Sequence, residues 1–151
     1  MDNNPPAVRN LPLLLLQGRE IFMQHFRPIF SHFGVTEQQW RIIRTLHENG
    51  AMEPRELCSH CMIYSSSLTG ILKRMEELEL ITRQSVSGDK RRLRVQLSQK
   101  SEKIAQEMMP LITRQYKYLS DAFGEEAVAQ LYTILDRLIA QQDVAVNKVD
   151  Y

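Results

Sequence analysis

Residues 65–75 read Ser-Ser-Ser-Leu-Thr-Gly-Ile-Leu-Lys-Arg-Met. Apolar residues recur here at three- and four-residue spacing, which predicts a helix that buries one stripe. The opposite face is shallow, with hydroxyl side chains and Gly70 near its start and Lys73 and Arg74 near its end. Such a face fits the DNA major groove without steric conflict. An ordinary exposed helix shows the same pattern, so the flanking sequence has to decide.

A supporting helix precedes this stretch and a cationic hairpin follows it. Pro54, at a first helical position, predicts a short helix that ends near Cys61 before a tight turn. Residues 65–75 then become the second helix of a helix-turn-helix. After Leu80 the apolar residues alternate, and a turn at Ser87-Gly88-Asp89 divides the alternation into two strands. A two-stranded ribbon in that position is a wing.

Longer amphipathic helices are predicted on both sides of this winged unit. Gly34 ends the first, and Thr36 with Gln39 forms a capping box for the second. Ser98 and Gly124 precede the last two. Two prolines lie inside these outer helices and predict a bend, or for the first helix two helical pieces: Pro28 and Pro110.

The first helix and the last two carry wide apolar faces, which a second copy of the chain would cover. We therefore predict a mainly α fold with a small β-hairpin (α+β). It would consist of a winged helix-turn-helix at residues 35–98 and a helical dimerisation region at residues 11–34 and 99–142. These parts would form a single intertwined domain, preceded by a mobile N-terminal arm at residues 1–10.

The positive charge is concentrated around the predicted wing. The formal net charge of the chain is +1, yet residues 82–100 contain six Lys and Arg residues and one acid, Asp89. A cationic block on an otherwise mildly acidic chain is typical of a phosphate-binding face. A solvated run of charges is the alternative, and the neighbouring groove helix argues against it.

Other protein classes lack support in the sequence. No apolar run reaches the ~20 residues needed to span a bilayer, and the run at residues 11–16 lacks the cationic leader of a signal peptide. We expect a cytoplasmic protein with no membrane partner. No Ser/His/Asp order, paired acids or glycine-rich phosphate loop indicates a hydrolase or kinase, so we expect neither an enzyme nor a cofactor.

Several separated motifs resemble the MarR family of bacterial transcription regulators. Asp89-Lys90-Arg91 and the following Leu93-Arg94-Val95-Gln96-Leu97-Ser98 resemble the family's Asp-x-Arg wing signature and its exit into the fifth helix. Residues 16–20, 26–29, 36–42 and 67–72 are similar to a subgroup of homoprotocatechuate-degradation repressors and fatty-acid-resistance regulators. The resemblance covers residues 13–138. It implies a homodimeric repressor on a pseudo-palindromic double-stranded DNA operator, released by a small aromatic or fatty carboxylate effector.

One departure lies at the start of the groove helix. The subgroup has Arg-Pro just before Ser-Leu-Thr-Gly, whereas this chain has Ser65-Ser66. The loss of a cation and of a rigid first helical residue predicts a different operator preference.

The groove helix and the wing supply the predicted DNA contacts. Ser65 is the expected cap of the helix. Gly70 costs about 1 kcal/mol relative to Ala, so we expect DNA or the preceding helix to approach it closely. The family's wing arginine enters the minor groove, and Arg91 matches it, with Asp89 holding the turn. The predicted DNA-binding residues are Ser65, Ser66, Ser67, Thr69, Gly70, Lys73, Arg74, Asp89, Arg91 and Arg92.

The family resemblance implies an effector pocket between the dimerisation helices and the winged unit. An arginine fork pairs well with a carboxylate, and a tryptophan can flank an aromatic ring or acyl chain. The alternatives are intra-dimer salt bridges for the arginines of the first helix and a core position for the tryptophan. The candidate residues are Arg19, His25, Arg27, Trp40 and Arg41.

Cys58 and Cys61 form a Cys-x-x-Cys pair, and packing is its simplest role. Zinc needs about four ligands, and no histidine lies at a matching spacing, so no metal site is expected. A redox role stays open, either as a thiol-based switch acting on the groove helix or as a thiol oxidoreductase. The pair closes a helix, however, whereas a thioredoxin-like pair opens one.

Overall fold

The computed structural model describes residues 9–150, and those residues form six helices and a two-stranded sheet. This order confirms the predicted mainly α fold with a small β-hairpin. The elements are α1 (Leu11–Phe33), α2 (Glu37–Asn49), α3 (Pro54–Cys61), α4 (Ser65–Glu77), β1 (Ile81–Val86), β2 (Asp89–Leu97), α5 (Gln99–Phe123) and α6 (Glu125–Ile139).

The chain divides into two compact units, one up to Thr113 and one from Arg114 onward, and the division falls inside α5. Helix α1 and the first part of α5 therefore belong to the same unit as the winged helix-turn-helix. The predicted arm at residues 1–10 lies mostly outside the described residues. Asn10, assigned to that arm, instead caps α1, because its side-chain oxygen accepts the N–H of Leu13 at 3.2 Å.

The core of the first unit buries the predicted stripe of α4. Leu68, Leu72 and Met75 are at most 2% exposed, and α4 packs against α2, α3 and β1. Helix α1 packs against α2, where the ring centroids of Phe30 and Trp40 lie 6.3 Å apart. Because α4 buries only one face, its opposite face is left in solvent.

Three predicted helix ends are confirmed. The Gln39 N–H donates to Thr36 Oγ1 at 3.1 Å, and the Thr36 N–H donates to Gln39 Oε1 at 3.0 Å, which completes the capping box. Gly34 ends α1 in the left-handed conformation at φ 68°. Ser98 caps α5, since its Oγ accepts the Ser101 N–H at 3.2 Å.

The expectation that Ser65 caps α4 is wrong. Ser65 is the first residue of the helix, and Tyr64 occupies the cap position with φ −64° and ψ 142°. The helical bonding starts one residue early because the Tyr64 carbonyl accepts the N–H groups of Ser67 and Leu68, each at 2.9 Å. The Tyr64 side chain makes no capping hydrogen bond.

Two other boundaries also differ from the prediction. Asp89 is the first residue of β2 and pairs with Val86, because a register shift next to Ser85 shortens the turn to two residues. Helix α1 runs through Pro28 as one helix, so the expectation of two pieces is wrong. Helix α5 likewise continues through Pro110.

The wing is rigid at its base and exposed at its tip. Ile81 pairs with Leu97 at the base, where Ile81 and Val95 are at most 1% exposed. Met52, between α2 and α3, exchanges two backbone hydrogen bonds with Val95, at 3.0 and 2.7 Å. This isolated bridge joins the hairpin to the helix-turn-helix.

Large apolar side chains remain exposed on α1 and, in the second unit, on α6. Leu11 and Leu16 of α1 are 59% and 60% exposed, and Ile134 and Ile139 of α6 are 61% and 60% exposed. No residue of α6 is buried. Within the described part of the chain, no helix is both long and apolar enough to cross a membrane.

Candidate nucleic-acid interface

The predicted DNA contacts of α4 share one solvent-exposed face. All seven are exposed, in contrast to the buried residues of the stripe: Ser65, Ser66, Ser67, Thr69, Gly70, Lys73 and Arg74. The Thr69 hydroxyl donates to the Ser65 carbonyl at 3.3 Å, within the first turn of the helix. The face is therefore both shallow and polar, as a helix in the major groove must be.

Gly70 lies in open space on that face. A Cβ atom added there would meet no heavy atom within 4 Å. The expectation that the preceding helix closely approaches this position is therefore wrong for the folded chain. Close approach by DNA, the other expectation for Gly70, stays a prediction.

The wing tip is held as the sequence predicts. The Arg91 N–H donates to Asp89 Oδ1 at 2.8 Å, so the carboxylate shapes the turn beside Gly88, whose φ is 84°. The Arg91 side chain is exposed and has no ion-pair partner among residues 9–150. Its guanidinium is thus available to an external anion.

Acids of the same chain already neutralise part of the cationic block. Lys73, Lys90, Arg91 and Arg94 have no ion pair within the described residues, and these form the open part of the positive surface. Exposed ion pairs contribute only ~0–1 kcal/mol, so a phosphate can replace the acid at modest cost. The paired arginines are Arg74 with Glu77 at 3.3 Å, Arg83 with Glu76 at 2.9 Å, and Arg92 with Glu53, whose carboxylate lies 2.9 Å from Arg92 Nε.

The two candidate effector arginines of α1 are both paired with acids. Arg19 contacts Glu37 in the first turn of α2, which ties α1 to α2. Arg27 contacts Glu20 through both nitrogens of its fork, with 2.7 Å between Nη2 and Oε2. This hydrogen bonding lowers the pKa of Glu20 and raises the pKa of Arg27. A ligand carboxylate at either arginine must displace a glutamate.

The two candidates of α2 have structural roles. Trp40 is 5% exposed and packs beside Phe30, so the core interpretation fits it better. Arg41 Nη1 donates to the Cys61 carbonyl at 2.6 Å, and its buried Nε has no partner among the described residues. Of the five candidate effector residues, the three on α1, Arg19, His25 and Arg27, therefore stay as the predicted ligand contacts.

The cysteine pair is split between two environments. Cys61 is 2% exposed, with its Sγ 3.4 Å from Thr45 Oγ1, and burial raises the pKa of its thiol. Cys58 is partly exposed, and both thiols are free. Residues 9–150 contain no group of three or more His, Cys, Asp or Glu that could hold a metal ion.

The sequence analysis missed three residues of this surface. Glu53, at the cap of α3, binds Arg92, and Met62 and Tyr64 project from the turn between α3 and α4 at 83% and 85% exposure. The sequence does contain a sign of Met62 and Tyr64, because two large side chains flank Ile63 in a segment that is otherwise predicted to be a tight turn.

A helix with an exposed polar face, packed against a preceding short helix and followed by a cationic hairpin, defines a winged helix-turn-helix of the DNA-binding kind. The MarR family model matches residues 35–93. The chain is 37% identical to the HTH-type transcriptional regulator FarR of Neisseria gonorrhoeae over 129 residues. This alignment covers 85% of this chain and 88% of that relative. It is also 37% identical to the homoprotocatechuate degradative operon repressor of Escherichia coli, over 87% of this chain and 88% of that protein.

A solved structure agrees with these relatives. The crystal structure of NadR in complex with 4-hydroxyphenylacetate is 35% identical, with a TM-score of 0.75 over 89% of this chain and 96% of that one. The chain belongs to the MarR family, which confirms the resemblance in its motifs. It is a transcription regulator, and its regulatory relatives point away from catalysis.

Replacing Gly70 with Ala should have opposite effects on folding and on DNA binding. The added methyl group meets no neighbouring atom in the folded chain, and alanine lowers the backbone entropy of the unfolded chain relative to glycine. The free energy of unfolding should therefore rise by up to about 1 kcal/mol. The same methyl group should weaken binding to duplex DNA, because it stands on the face that enters the groove. Urea denaturation and fluorescence anisotropy measure the two effects.

Gly18→Ala is the matched control, since Gly18 also lies in a helix with no heavy atom within 4 Å of the added Cβ. It should gain a similar amount of stability, which would show that the gain comes from the helix backbone and not from the DNA face. Equal DNA affinity for Gly70→Ala and the native protein would contradict a groove position for this face.

The two cysteines should differ in reactivity. At pH 7.5 the buried Cys61 thiol stays protonated, because burial raises its pKa, and the thiolate is the reactive form. Iodoacetamide should therefore modify Cys58 well before Cys61, as peptide mass spectrometry of the folded protein would show. Faster modification of Cys61, or a disulfide that forms between Cys58 and Cys61 on exposure to air, would contradict this expectation and support the thiol-switch hypothesis.

Proposed function

We propose that this protein is a homodimeric repressor that binds a pseudo-palindromic operator and leaves it when a small aromatic carboxylate binds. The observation that carries the proposal is the juxtaposition of the exposed polar face of α4 with an unpaired Arg91 at the wing tip. The helix would read base edges in the major groove while Arg91 enters the flanking minor groove. The protein would act in the cytoplasm, where the chromosomal operator lies.

The exposed apolar side chains of α1 and α6 support a dimer. Large apolar patches are rare on monomers, and helix faces like these are usually covered by a partner. Two-fold symmetry would present two α4 helices to half-sites ~34–36 Å apart, one helical turn of DNA. The operator would then share the two-fold symmetry of the protein.

An aromatic carboxylate is the favoured effector class. NadR, 35% identical to this chain, has been solved with 4-hydroxyphenylacetate, and a 37% identical relative is named for homoprotocatechuate degradation. Fatty carboxylates, implied by the motif resemblance, are the second class to test. Both classes carry the anion that an arginine fork binds.

Arg19 is the arginine that we assign to the effector. Its ion pair with Glu37 joins α1 to the first turn of α2, whereas the pair between Arg27 and Glu20 lies entirely within α1. An effector carboxylate that replaces Glu37 would loosen α1 from α2. The dimer would then shift toward a half-site spacing that no longer fits the operator, which requires only ~1–3 kcal/mol of coupling.

The test uses a duplex selected by the native protein from a random-sequence pool. Bound duplex should be released by 4-hydroxyphenylacetate or decanoate but not by 4-hydroxyphenylacetamide, which has the same ring without the negative charge. Glu37→Gln should mimic the effector: we expect duplex affinity to fall up to about fivefold, the range of an exposed ion pair, with a weaker further response to the acid.

Glu20→Gln is the matched control, because it frees the other arginine without touching the link between α1 and α2. It should retain the duplex affinity and effector response of the native protein. If Glu20→Gln loses the response and Glu37→Gln keeps it, Arg27 is the effector residue. Release by the amide as readily as by the acid would contradict a carboxylate fork.

A further inference from the structure

Two large side chains project from the turn that joins α3 to α4. Met62 is 83% exposed and Tyr64 is 85% exposed, whereas Ile63 between them is 5% exposed. Neither exposed side chain contributes to the core of the folded chain. Tyr64 directly precedes Ser65, Ser66 and Ser67, the first residues of the predicted DNA face.

The turn holds these side chains outward on a fixed backbone. Met62 adopts the left-handed conformation at φ 50° and ψ 51°, and the Cys58 carbonyl accepts the Ile63 N–H at 3.2 Å. Arg41 Nη1 donates to the Cys61 carbonyl at 2.6 Å and approaches the Met62 carbonyl at 3.4 Å. With Ile63 buried as an anchor, the direction in which Tyr64 leaves the turn is set before any partner binds.

The side chain of Tyr64 makes no hydrogen bond within the described part of the chain. The backbone carbonyl of Tyr64 accepts the first hydrogen bonds of α4, but the Tyr64 side chain makes no capping bond. Its hydroxyl has no hydrogen-bond partner in the described part of the chain. The first turn of α4 also contains no acidic residue that would repel an anion. Tyrosine loses little conformational entropy on binding, since only two side-chain torsions need to be fixed.

We propose that Tyr64 is a DNA-contacting residue, and that its hydroxyl donates a hydrogen bond to a backbone phosphate where α4 enters the major groove. The inference rests on the proposed DNA binding and deepens it. A side chain that precedes the recognition helix faces the rim of the groove, where phosphates lie, while the residues after it face the bases. The contact would fix the angle and register of α4 without reading sequence itself.

Tyr64→Phe tests the contact, because it removes the hydroxyl and keeps the ring. With the selected duplex in an anisotropy titration, affinity should fall about a hundredfold, because each protomer loses a hydrogen bond to a charged phosphate and each such bond is worth about tenfold or more. An unrelated duplex should lose affinity by a similar factor, so the ratio of specific to non-specific binding should stay unchanged. Tyr132→Phe, a phenol of α6 that is 56% exposed, is the matched control and should bind like the native protein.

Single methylphosphonate substitutions along the duplex then locate the phosphate. A substitution at one position in each half-site should lower the duplex affinity of the native protein. It should leave the affinity of Tyr64→Phe unchanged, since the variant has already lost that contact. Unchanged affinity of Tyr64→Phe would overturn the inference. The inference would also be overturned if Tyr64→Phe lost affinity for the selected duplex alone and the native protein showed the same loss when a thymine of that duplex was replaced by uracil. That result would indicate a base contact. Failure of the native protein to enrich any duplex would instead overturn the proposed function.

Discussion

The burial of one face of α4 is the constraint on which the DNA surface depends. Leu68, Leu72 and Met75 are almost completely removed from solvent, and each such side chain contributes ~1.5–3 kcal/mol by burial. No rotation of the helix about its axis can expose this stripe without losing much of that energy. The serines, Thr69, Gly70 and Lys73 are therefore held on the outside by the core, whatever their own contacts.

Polar links then set the wing and the turn relative to that helix within the first unit. The two backbone bonds between Met52 and Val95 attach β2 to the segment before α3. On the other side, Ser101, fully buried, donates from its Oγ to the Leu80 carbonyl at 2.5 Å and so joins α5 to the end of the α4–β1 connection. Helix, hairpin and turn thus share one rigid scaffold, and a rigid scaffold keeps the entropy cost of DNA binding low.

Periodicity and capping rules predicted most of the fold, since the apolar spacing of α4, the capping box at Thr36 and the alternation after Leu80 are all local signals. The missed features depend on residues distant in sequence. Glu53 and Arg92 lie 39 positions apart, and nothing in either residue's neighbourhood indicates their pairing. Arg41 is a comparable case, because its partner carbonyl lies at the end of another helix. The cap at Tyr64 was missed because serine is a better cap by propensity, and tertiary anchoring of Ile63 outweighs that preference.

The salt dependence of duplex binding for Arg91→Ala tests the central claim most directly. If each wing inserts one arginine among phosphates, the slope of log affinity against log salt concentration should become shallower by about 2 for the dimer, about one unit for each lost contact. Arg137→Ala, in the last turn of α6, removes the same charge from the second unit and should leave the slope unchanged. An Arg91→Ala slope equal to that of the native protein would contradict a DNA-binding wing.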